Sequence, residues 1–490
     1  MRPPGLLSRP ENRPAKEGKL KRTPAKPAEV IEQLELSHGL ATESGLPVYP
    51  PTGLRVAVVG GGFVGLVAAA GFAQFGHTVF LIEKDSQKLD ELRAGKVRIY
   101  ERGLPELITA NLRRQRLSFR ADLAEAVKGA QAIFLAVGTP SLSSGEADLS
   151  AVFEVIENLI PLLEPRQIIV LKSTVPVGTA SQVRNLLFRN GAEKKQTAVV
   201  SNPEFLREGT AVLDFFRPQR IVIGGDRPEA IETVAQLYRV GMMNACPIVV
   251  TNNETAEMIK YASNLFLATK VTFTNELANL CDAAGINVTE VTRGMGLDSR
   301  ISPEFLSPGP GFGGSCLPKD LEAILNLAQK HGTQLSIAEA VKEANRRQPD
   351  KVVEKLESLL GNLKGKTIGI LGLTFKAHTN DLRSSPALEV MKRLAAKGAL
   401  LQAFDPVAEA EAKTLWPELK LSPKPAEAAQ GADALAILTE WPEFMALDWE
   451  AVGGRMKAKN IVDARNLLVP EILTRHGFNY LGMGQKPGEV

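Results

Sequence analysis

The segment Leu54-Arg55-Val56-Ala57-Val58-Val59 running into Gly60-Gly61-Gly62-Phe63-Val64-Gly65 constrains the fold more than any other. A short β-branched run reads as a buried parallel strand. The glycine spacing reads as a strand-to-helix turn of the dinucleotide type. Gly60 permits the tight turn, Gly62 lets backbone approach a pyrophosphate, and Gly65 allows close helix packing, with Val64 inside the turn. A helix from about Val64 to Phe75 follows, closed by Gly76, and Thr78 to Glu83 forms the next strand. Glu83 ends that strand at the offset where a carboxylate accepts ribose hydroxyls and repels a 2′-phosphate. NAD is therefore expected over NADP, although Lys84 adjoins Glu83 and weakens the preference.

The pattern repeats. Strands are expected at 132–137, 167–171, 198–201 and 220–224, with a helix near 149–163. From about Asn253 to Ala284 there is neither proline nor glycine, and Met258, Ile259, Ala262, Leu265, Phe266 and Thr269 recur at helical spacing. These mark a long spine helix with an apolar seam. A second strand-and-helix series opens at Lys366–Gly372 and continues at 400–405, 434–438 and 460–463. The expected fold class is α/β, with two doubly wound Rossmann-like domains joined by a long-helix central region. The expected division is a basic, proline-rich disordered tail over 1–53, a dinucleotide domain over 54–250, a central helical dimerisation region over 251–350, and a last α/β domain over 351–490.

Composition excludes several classes. Net charge is +3 over 490 residues with mixed signs, unlike a nucleic-acid binder. Three cysteines without CxxC spacing indicate neither a zinc site nor a disulfide framework, and suit a reducing cytoplasm. Five scattered histidines indicate no metal site. The apolar stretch 57–75 is broken by glycines, so no membrane span is expected, and the tail lacks the apolar region of a signal peptide.

Chemistry concentrates in four places. Gly311 to Asp320 sets Cys316 in a glycine-rich loop with Lys319 and Asp320 just beyond. A thiol there becomes a nucleophile if cations or backbone donors favour its thiolate; a tight turn with an inert cysteine is the alternative. Lys260 and Asn264 lie four apart on the spine helix and share a face, equipment for a developing alkoxide or a snorkelling surface pair. Asn202-Pro203-Glu204-Phe205-Leu206-Arg207-Glu208-Gly209 follows a strand, and its two carboxylates share a face only if the segment is helical. Thr139 and Thr174 stand at strand ends, where hydroxyls meet a cofactor or merely close turns.

With these motifs in order, the chain from about 54 to 480 resembles the UDP-glucose/GDP-mannose dehydrogenase family. That resemblance rests on the 202–209 run, Lys260-Tyr261-Ala262-Ser263-Asn264, and Gly313-Gly314-Ser315-Cys316-Leu317-Pro318-Lys319-Asp320. It implies oxidation of a sugar C6 alcohol to a carboxylate with two NAD⁺ and a cysteine thiohemiacetal and thioester. Cys316 would be the nucleophile, Lys260 and Asn264 oxyanion stabilisers, Asp320 support for base or water, and Glu204 the acid–base group of the thioester half. Beside the glycine turn and Glu83, the implied NAD contacts are Thr139, Thr174, Glu208, Lys319 and Arg383. The implied substrate contacts are Phe205, Leu206, Lys260, Asn264, Arg300, the loop Phe305-Leu306-Ser307-Pro308-Gly309, Gly313, Phe375, Lys376 and Arg465. Arg300 would reach the substrate of a neighbouring subunit in a homodimer built on the spine helices. UDP-glucose is the first expected substrate and UDP-glucuronate the product. Gly209 and the loop 310–314 separate the chain from GDP-mannose relatives, while Leu317 is shared with them, so GDP-mannose or another nucleotide sugar is the alternative. Two further readings stay open. A two-electron β-hydroxyacid dehydrogenase would need neither the cysteine nor the last domain. A nucleotide-sugar or NAD sensor would keep the scaffold but lose a reacting group.

Overall fold

The computed structural model describes residues 49–242 and 246–485. The expected disordered tail lies, up to residue 48, outside the described residues. Tyr49 and Thr52, within the range read as tail, pack on the body: the Tyr49 hydroxyl donates to Gly241 O, and Thr52 Oγ1 bonds to His77 Nδ1 at 2.7 Å.

The first sheet has eight strands: β1 (Arg55–Val59), β2 (Thr78–Ile82), β3 (Leu117–Arg120), β4 (Ala132–Leu135), β5 (Ile168–Leu171), β6 (Ala198–Ser201), β7 (Ile221–Gly224) and β8 (Ile248–Thr251). Their order is β3-β2-β1-β4-β5-β6-β7-β8, and only the β6–β7 pairing is antiparallel. In β1, Val56 and Val58 enter one apolar core while Ala57 and Val59 enter the core on the other face. That alternation is the signature of a sheet covered on both sides. The helix Phe63–Gln74 is apolar all round and buried along nearly its whole length.

The second sheet has β9 (Thr367–Leu371), β10 (Leu400–Phe404), β11 (Lys420–Leu421), β12 (Ala434–Ile437), β13 (Asn460–Asp463) and β14 (Asn479–Gly482), in the order β11-β10-β9-β12-β13-β14, all parallel. Between the sheets run the spine helix Asn253–Ala284, the helix Leu317–Lys330 that carries the cysteine loop at its start, and the helix Ser336–Leu360. The mixed α/β class with parallel sheets and a helical centre matches the sequence expectation. Strands β3, β8, β11 and β14 were not foreseen; they are short outer strands with two to four residues each.

The spine helix has the expected limits, capped by Asn252, whose side chain accepts from Thr255 N–H, and ended by Gly285 in the left-handed region. Its facing departs from the expected seam in part: Leu265 packs on the core and Ile259 and Thr269 are half-buried, but the rest of the seam faces out. Asn253, Glu257, Lys260, Asn264 and Asn275 are buried, whereas Met258, Ala262, Phe266, Phe273 and Leu280 are exposed, Phe266 by 65%. The polar face turns inward because it furnishes the site and grips loops. Among the described residues, no helix is long and apolar enough to cross a membrane.

Candidate active site

The turn after β1 is built as its glycines require. Gly60 has φ +108°, and a Cβ on Gly65 would lie 1.8 Å from Gly60 O. A Cβ on Gly62 would meet no protein atom within 4 Å. The space beside Gly62 is a cavity of about 890 Å³, lined also by Val64, Thr139, Thr174, Glu208, Lys319, Arg383 and Cys316. The helix Phe63–Gln74 begins there with no side chain capping its N–H groups. An open cradle beside uncapped donors fits a dinucleotide pyrophosphate. Glu83 stands behind the turn. Its Oε1 accepts Asp85 N–H and its Oε2 pairs with Lys88 at 2.8 Å, so Lys88 rather than Lys84 is the cation facing it. Burial works against the Glu83 carboxylate, yet Lys88 and nearby backbone N–H groups hold it below the usual range. The Thr139 hydroxyl donates to Thr174 O at 2.8 Å and so ties two strand ends together.

Cys316 immediately precedes the helix Leu317–Lys330, and Asp320 N–H donates back to Cys316 O. Burial raises the thiol pKa; Glu204 and Asp320 reinforce this, and Lys260 opposes it. The neighbours of the sulfur form a chain of bonded pairs. Lys260 Nζ bonds to Glu204 Oε1 at 2.9 Å, with both side chains buried. Asn264 Nδ2 donates to Asp320 Oδ2 at 2.6 Å, and Lys319 Nζ bonds to Asp320 Oδ1 at 2.7 Å. Burial disfavours the Lys260 ammonium, but Glu204, Cys316 and Asp320 more than compensate and its pKa is raised. Glu204 and Glu208 do not share a helical face. The segment is irregular over 202–207 and turns at 208–210, so Glu204 faces Lys260 while Glu208 accepts from Ser315 Oγ and Thr379 Oγ1.

A second cavity of about 530 Å³ is lined by Glu204, Phe205, Leu206, Lys260, Asn264 and Phe305, together with Lys172, Tyr238 and the cations Arg217 and Arg220. Glu204 and Leu206 belong to both cavity walls. The Arg220 guanidinium stacks on Phe205 at 3.6 Å from the ring centre.

The last domain closes over the cysteine loop. A Cβ on Gly313 would lie 2.1 Å from Ser384 O, and one on Gly314 (φ +83°) 2.8 Å from the Phe375 ring. Arg465 donates to Leu438 O and Phe375 O, and its guanidinium lies beside Gly309. Lys376 is half-buried, and burial lowers its pKa against the pull of Glu208 and Glu440. Arg383 is held bidentate by Asp381. Leu306 is buried and Ser307 exposed. Arg300 is not brought to this chain's site: its side chain is 87% exposed and paired with Asp298.

Sequence reasoning missed the groups that hold these loops. Gly309 is gripped at both ends of its peptide unit: Asn275 Oδ1 accepts its N–H and Gln348 Nε2 donates to its C=O. Asn345 does the same for Phe312. Glu101 accepts the N–H groups of Gly209 and Ala211, some 110 residues away. Gly209 has φ +82°, and a Cβ there would lie 2.7 Å from His378 O. Its glycine reports backbone packing rather than base recognition.

An uncapped helix start and a half-buried cysteine on one cavity wall suit a dinucleotide-dependent oxidoreductase. Residues 54–241 match the NAD binding domain of the UDP-glucose/GDP-mannose dehydrogenase family, 254–347 its central domain, and 369–470 its UDP binding domain. The chain is 43% identical over 436 residues to a UDP-glucose 6-dehydrogenase of Rhizobium meliloti, covering 88% of this chain and all of that one. It is 42% identical over 442 residues to a UDP-glucose 6-dehydrogenase of Pseudomonas aeruginosa, covering 88% and 98%. Among solved structures, a UDP-glucose dehydrogenase from Pyrobaculum islandicum superposes with TM-score 0.80 at 35% identity, covering 91% of this chain and all of that one. A UDP-D-ManNAc dehydrogenase from Pyrococcus horikoshii superposes with TM-score 0.78 at 28% identity, covering 89% and all. The chain belongs to the UDP-glucose/GDP-mannose dehydrogenase family, and it is an NAD-dependent enzyme.

Proposed function

We propose that the chain oxidises UDP-glucose at C6 to UDP-glucuronate in two successive two-electron steps. The observation that carries this reading is Cys316 on the wall of the cavity beside Gly62, with Lys260, Asn264, Asp320 and Glu204 bonded in pairs around it. The relatives named for UDP-glucose support the choice of sugar nucleotide.

NAD⁺, when bound along the Gly62 turn, accepts one hydride in each step. In the first, the C6 hydroxyl loses its proton as C6 loses hydride, and the Lys260 ammonium and Asn264 amide stabilise the oxygen. In the second, Cys316 Sγ bonds to C6 of the aldehyde as its S–H bond and the C=O π bond break, and the thiol's proton passes to the carbonyl oxygen. The thiohemiacetal so formed again carries a C–H able to leave as hydride. A thioester remains. Glu204 takes a proton from water, the water oxygen bonds to C6, the C–S bond breaks, and the sulfur regains a proton. The sum is one alcohol, one water and two NAD⁺ giving one carboxylate, two NADH and three protons. Asp320 orients Asn264 through the 2.6 Å bond. Thr139, Thr174, Glu208, Lys319 and Arg383 would line the cofactor. Phe205, Leu206 and Phe305 would face the sugar nucleotide, with Leu306, Ser307, Gly309, Gly313, Phe375, Lys376 and Arg465 completing its enclosure.

The proposed division is 54–250, 251–350 and 351–490, supported by the order of the three family matches. The proposed assembly is a homodimer on the spine helices, supported by the exposed stripe Met258, Phe266, Phe273 and Leu280. Arg300, exposed on its own chain, would then serve the partner's site. The proposed compartment is the cytoplasm, on the three unpaired cysteines.

The test is to incubate purified protein with NAD⁺ and a panel of UDP-glucose, GDP-mannose and UDP-N-acetylmannosamine, counting NADH per sugar consumed. Two NADH per UDP-glucose, with UDP-glucuronate formed, is expected. One NADH with aldehyde accumulating sinks the thioester route. Binding without turnover makes the chain a sensor.

A further inference from the structure

Lys172 has no part in the oxidation as set out above, yet it is buried and lines the second cavity. Its Nζ donates to Asn202 Oδ1 at 3.1 Å and bonds to the Tyr238 hydroxyl at 3.1 Å, with Pro203 O at 3.5 Å. Tyr238 itself donates to Asn202 Oδ1 at 2.6 Å, and Asn202 Nδ2 donates to Val222 O. All these partners are neutral. Among the described residues, no carboxylate stands within ion-pair distance of Lys172. A buried lysine without a counter-ion is costly and is kept for a use. Glu204 is the residue immediately beyond Asn202 and Pro203.

We propose that Lys172 is a positioning residue for the oxidation: a second buried cation that fixes the Asn202–Pro203 turn and presents the charged Glu204 carboxylate to Lys260 and the reacting carbon. The electrostatics of the pair agree with those hydrogen bonds. Burial pushes the Lys172 pKa down to about 7, Glu204 acts against that fall, and Lys260 adds to it. Burial works against the Glu204 carboxylate, but Lys260, the Leu206 N–H and Lys172 together hold its pKa below the usual range. The groups facing this pair are few. Glu204 is faced by Lys260 from the spine helix and by Cys316 from its loop, with Asp320 beyond Lys260. Lys172 is faced by Tyr238 and, at longer range, Lys260. Arg207, Asp214, Arg217, Arg220 and Glu304 line the same cavity.

The sign follows. A cation behind Glu204 favours its carboxylate, so removing that cation raises the pH at which Glu204 becomes a base. Hydrolysis of the Cys316 thioester needs that base, so its acid limb moves to higher pH. This rests on the reading of Glu204 proposed above, and the controls separate the two. NADH production by the unmodified protein tests that reading; comparison with Lys172 variants tests only this inference.

Lys172→Gln keeps a donor for Asn202 and loses the charge; Lys172→Arg keeps the charge. Lys172→Gln is expected to melt cooperatively and bind NAD⁺ as the unmodified protein does. Its steady-state kcat should fall at least about tenfold. The acid limb of its kcat profile should rise by on the order of one pH unit. Intact-mass measurement of quenched reactions should find more sugar nucleotide covalently held on Cys316. Lys172→Arg should return the limb to its original position. A folded Lys172→Gln protein with the original limb and no extra adduct overturns the proposal, because hydrogen bonding alone would then explain Lys172. If Lys172→Gln does not fold, Lys172→Arg decides: an unmoved limb supports the role of the charge, and a displaced limb overturns it.

Discussion

The two sheets share one strand order around their first strand, and the same end of that order does opposite things in each. Both β1 and β9 run into a glycine with positive φ, Gly60 at +108° and Gly372 at +90°. In both, the residue after the second strand is acidic, Glu83 after β2 and Asp405 after β10. Beyond β1 the turn is tight, the helix start is uncapped, and the space beside Gly62 is open. Beyond β9 the chain makes a long loop before its helix begins at Pro386, and Asp405 ties that loop down. The Asp405 carboxylate accepts N–H groups from Leu373, Thr374, Val407 and Ala408. The loop thus secured carries Phe375 and Ser384 against Gly314 and Gly313 of the cysteine loop. The turn after β1 leaves an open cradle, whereas the loop after β9 packs against the cysteine loop. The difference lies in what the acid binds and how soon the helix starts.

The contrast can be broken in four places. Gly372→Ala should be the most damaging, because its Cβ would lie 2.4 Å from the Thr439 Cβ at a φ that disfavours side chains. A loss of about 3 kcal/mol in urea unfolding is expected; a loss below about 1 kcal/mol would remove the crowding argument. Asp405→Asn should cost about 2 kcal/mol, since an amide has one acceptor oxygen where four N–H groups now end. NAD⁺ affinity, read by titration calorimetry, should be unchanged. Gly62→Val inverts that outcome. Unfolding should shift by less than about 0.5 kcal/mol, while NAD⁺ binding weakens at least about tenfold, because the side chain occupies space no protein atom uses. Glu83→Gln should act least, lowering the preference of kcat/KM for NAD⁺ over NADP⁺ by a factor of about five. An unchanged preference would mean that the Lys88 pair, rather than a ribose, is what Glu83 serves.

What could be read in advance follows from the range of the interactions. The β1 strand, its glycine turn and the limits of the spine helix depend on residues a few positions apart, and their periodicity and breakers announce them. The outer strand β11, with two residues, is too short to alternate, and β3 shows its alternation over only four. The seam of the spine helix was misread in part: Leu265 packs inward beside Tyr261 and Ala268, whereas Met258, Ala262 and Phe266 face outward. Its inner face also carries Glu257, Lys260, Asn264 and Asn275, each held by a specific partner. Cys316, Lys260, Asn264 and Asp320 were legible as a set only through motif resemblance; no local spacing brings residue 264 to residue 320. The clamps from Asn345, Gln348 and Glu101 had no signal at all. A single amide gripping a distant peptide unit is set by tertiary register, and asparagine in a helix looks the same whether it grips or not.

One carboxylate and one leucine, Glu204 and Leu206, stand in the walls of both cavities. Ligands on the two sides would meet at a single short piece of backbone, held by the Leu206 N–H bond to Glu204. Thermodynamic linkage then fixes a symmetry that kinetics alone would hide. By whatever factor a sugar nucleotide changes the affinity for the dinucleotide, the dinucleotide changes the affinity for the sugar by the same factor.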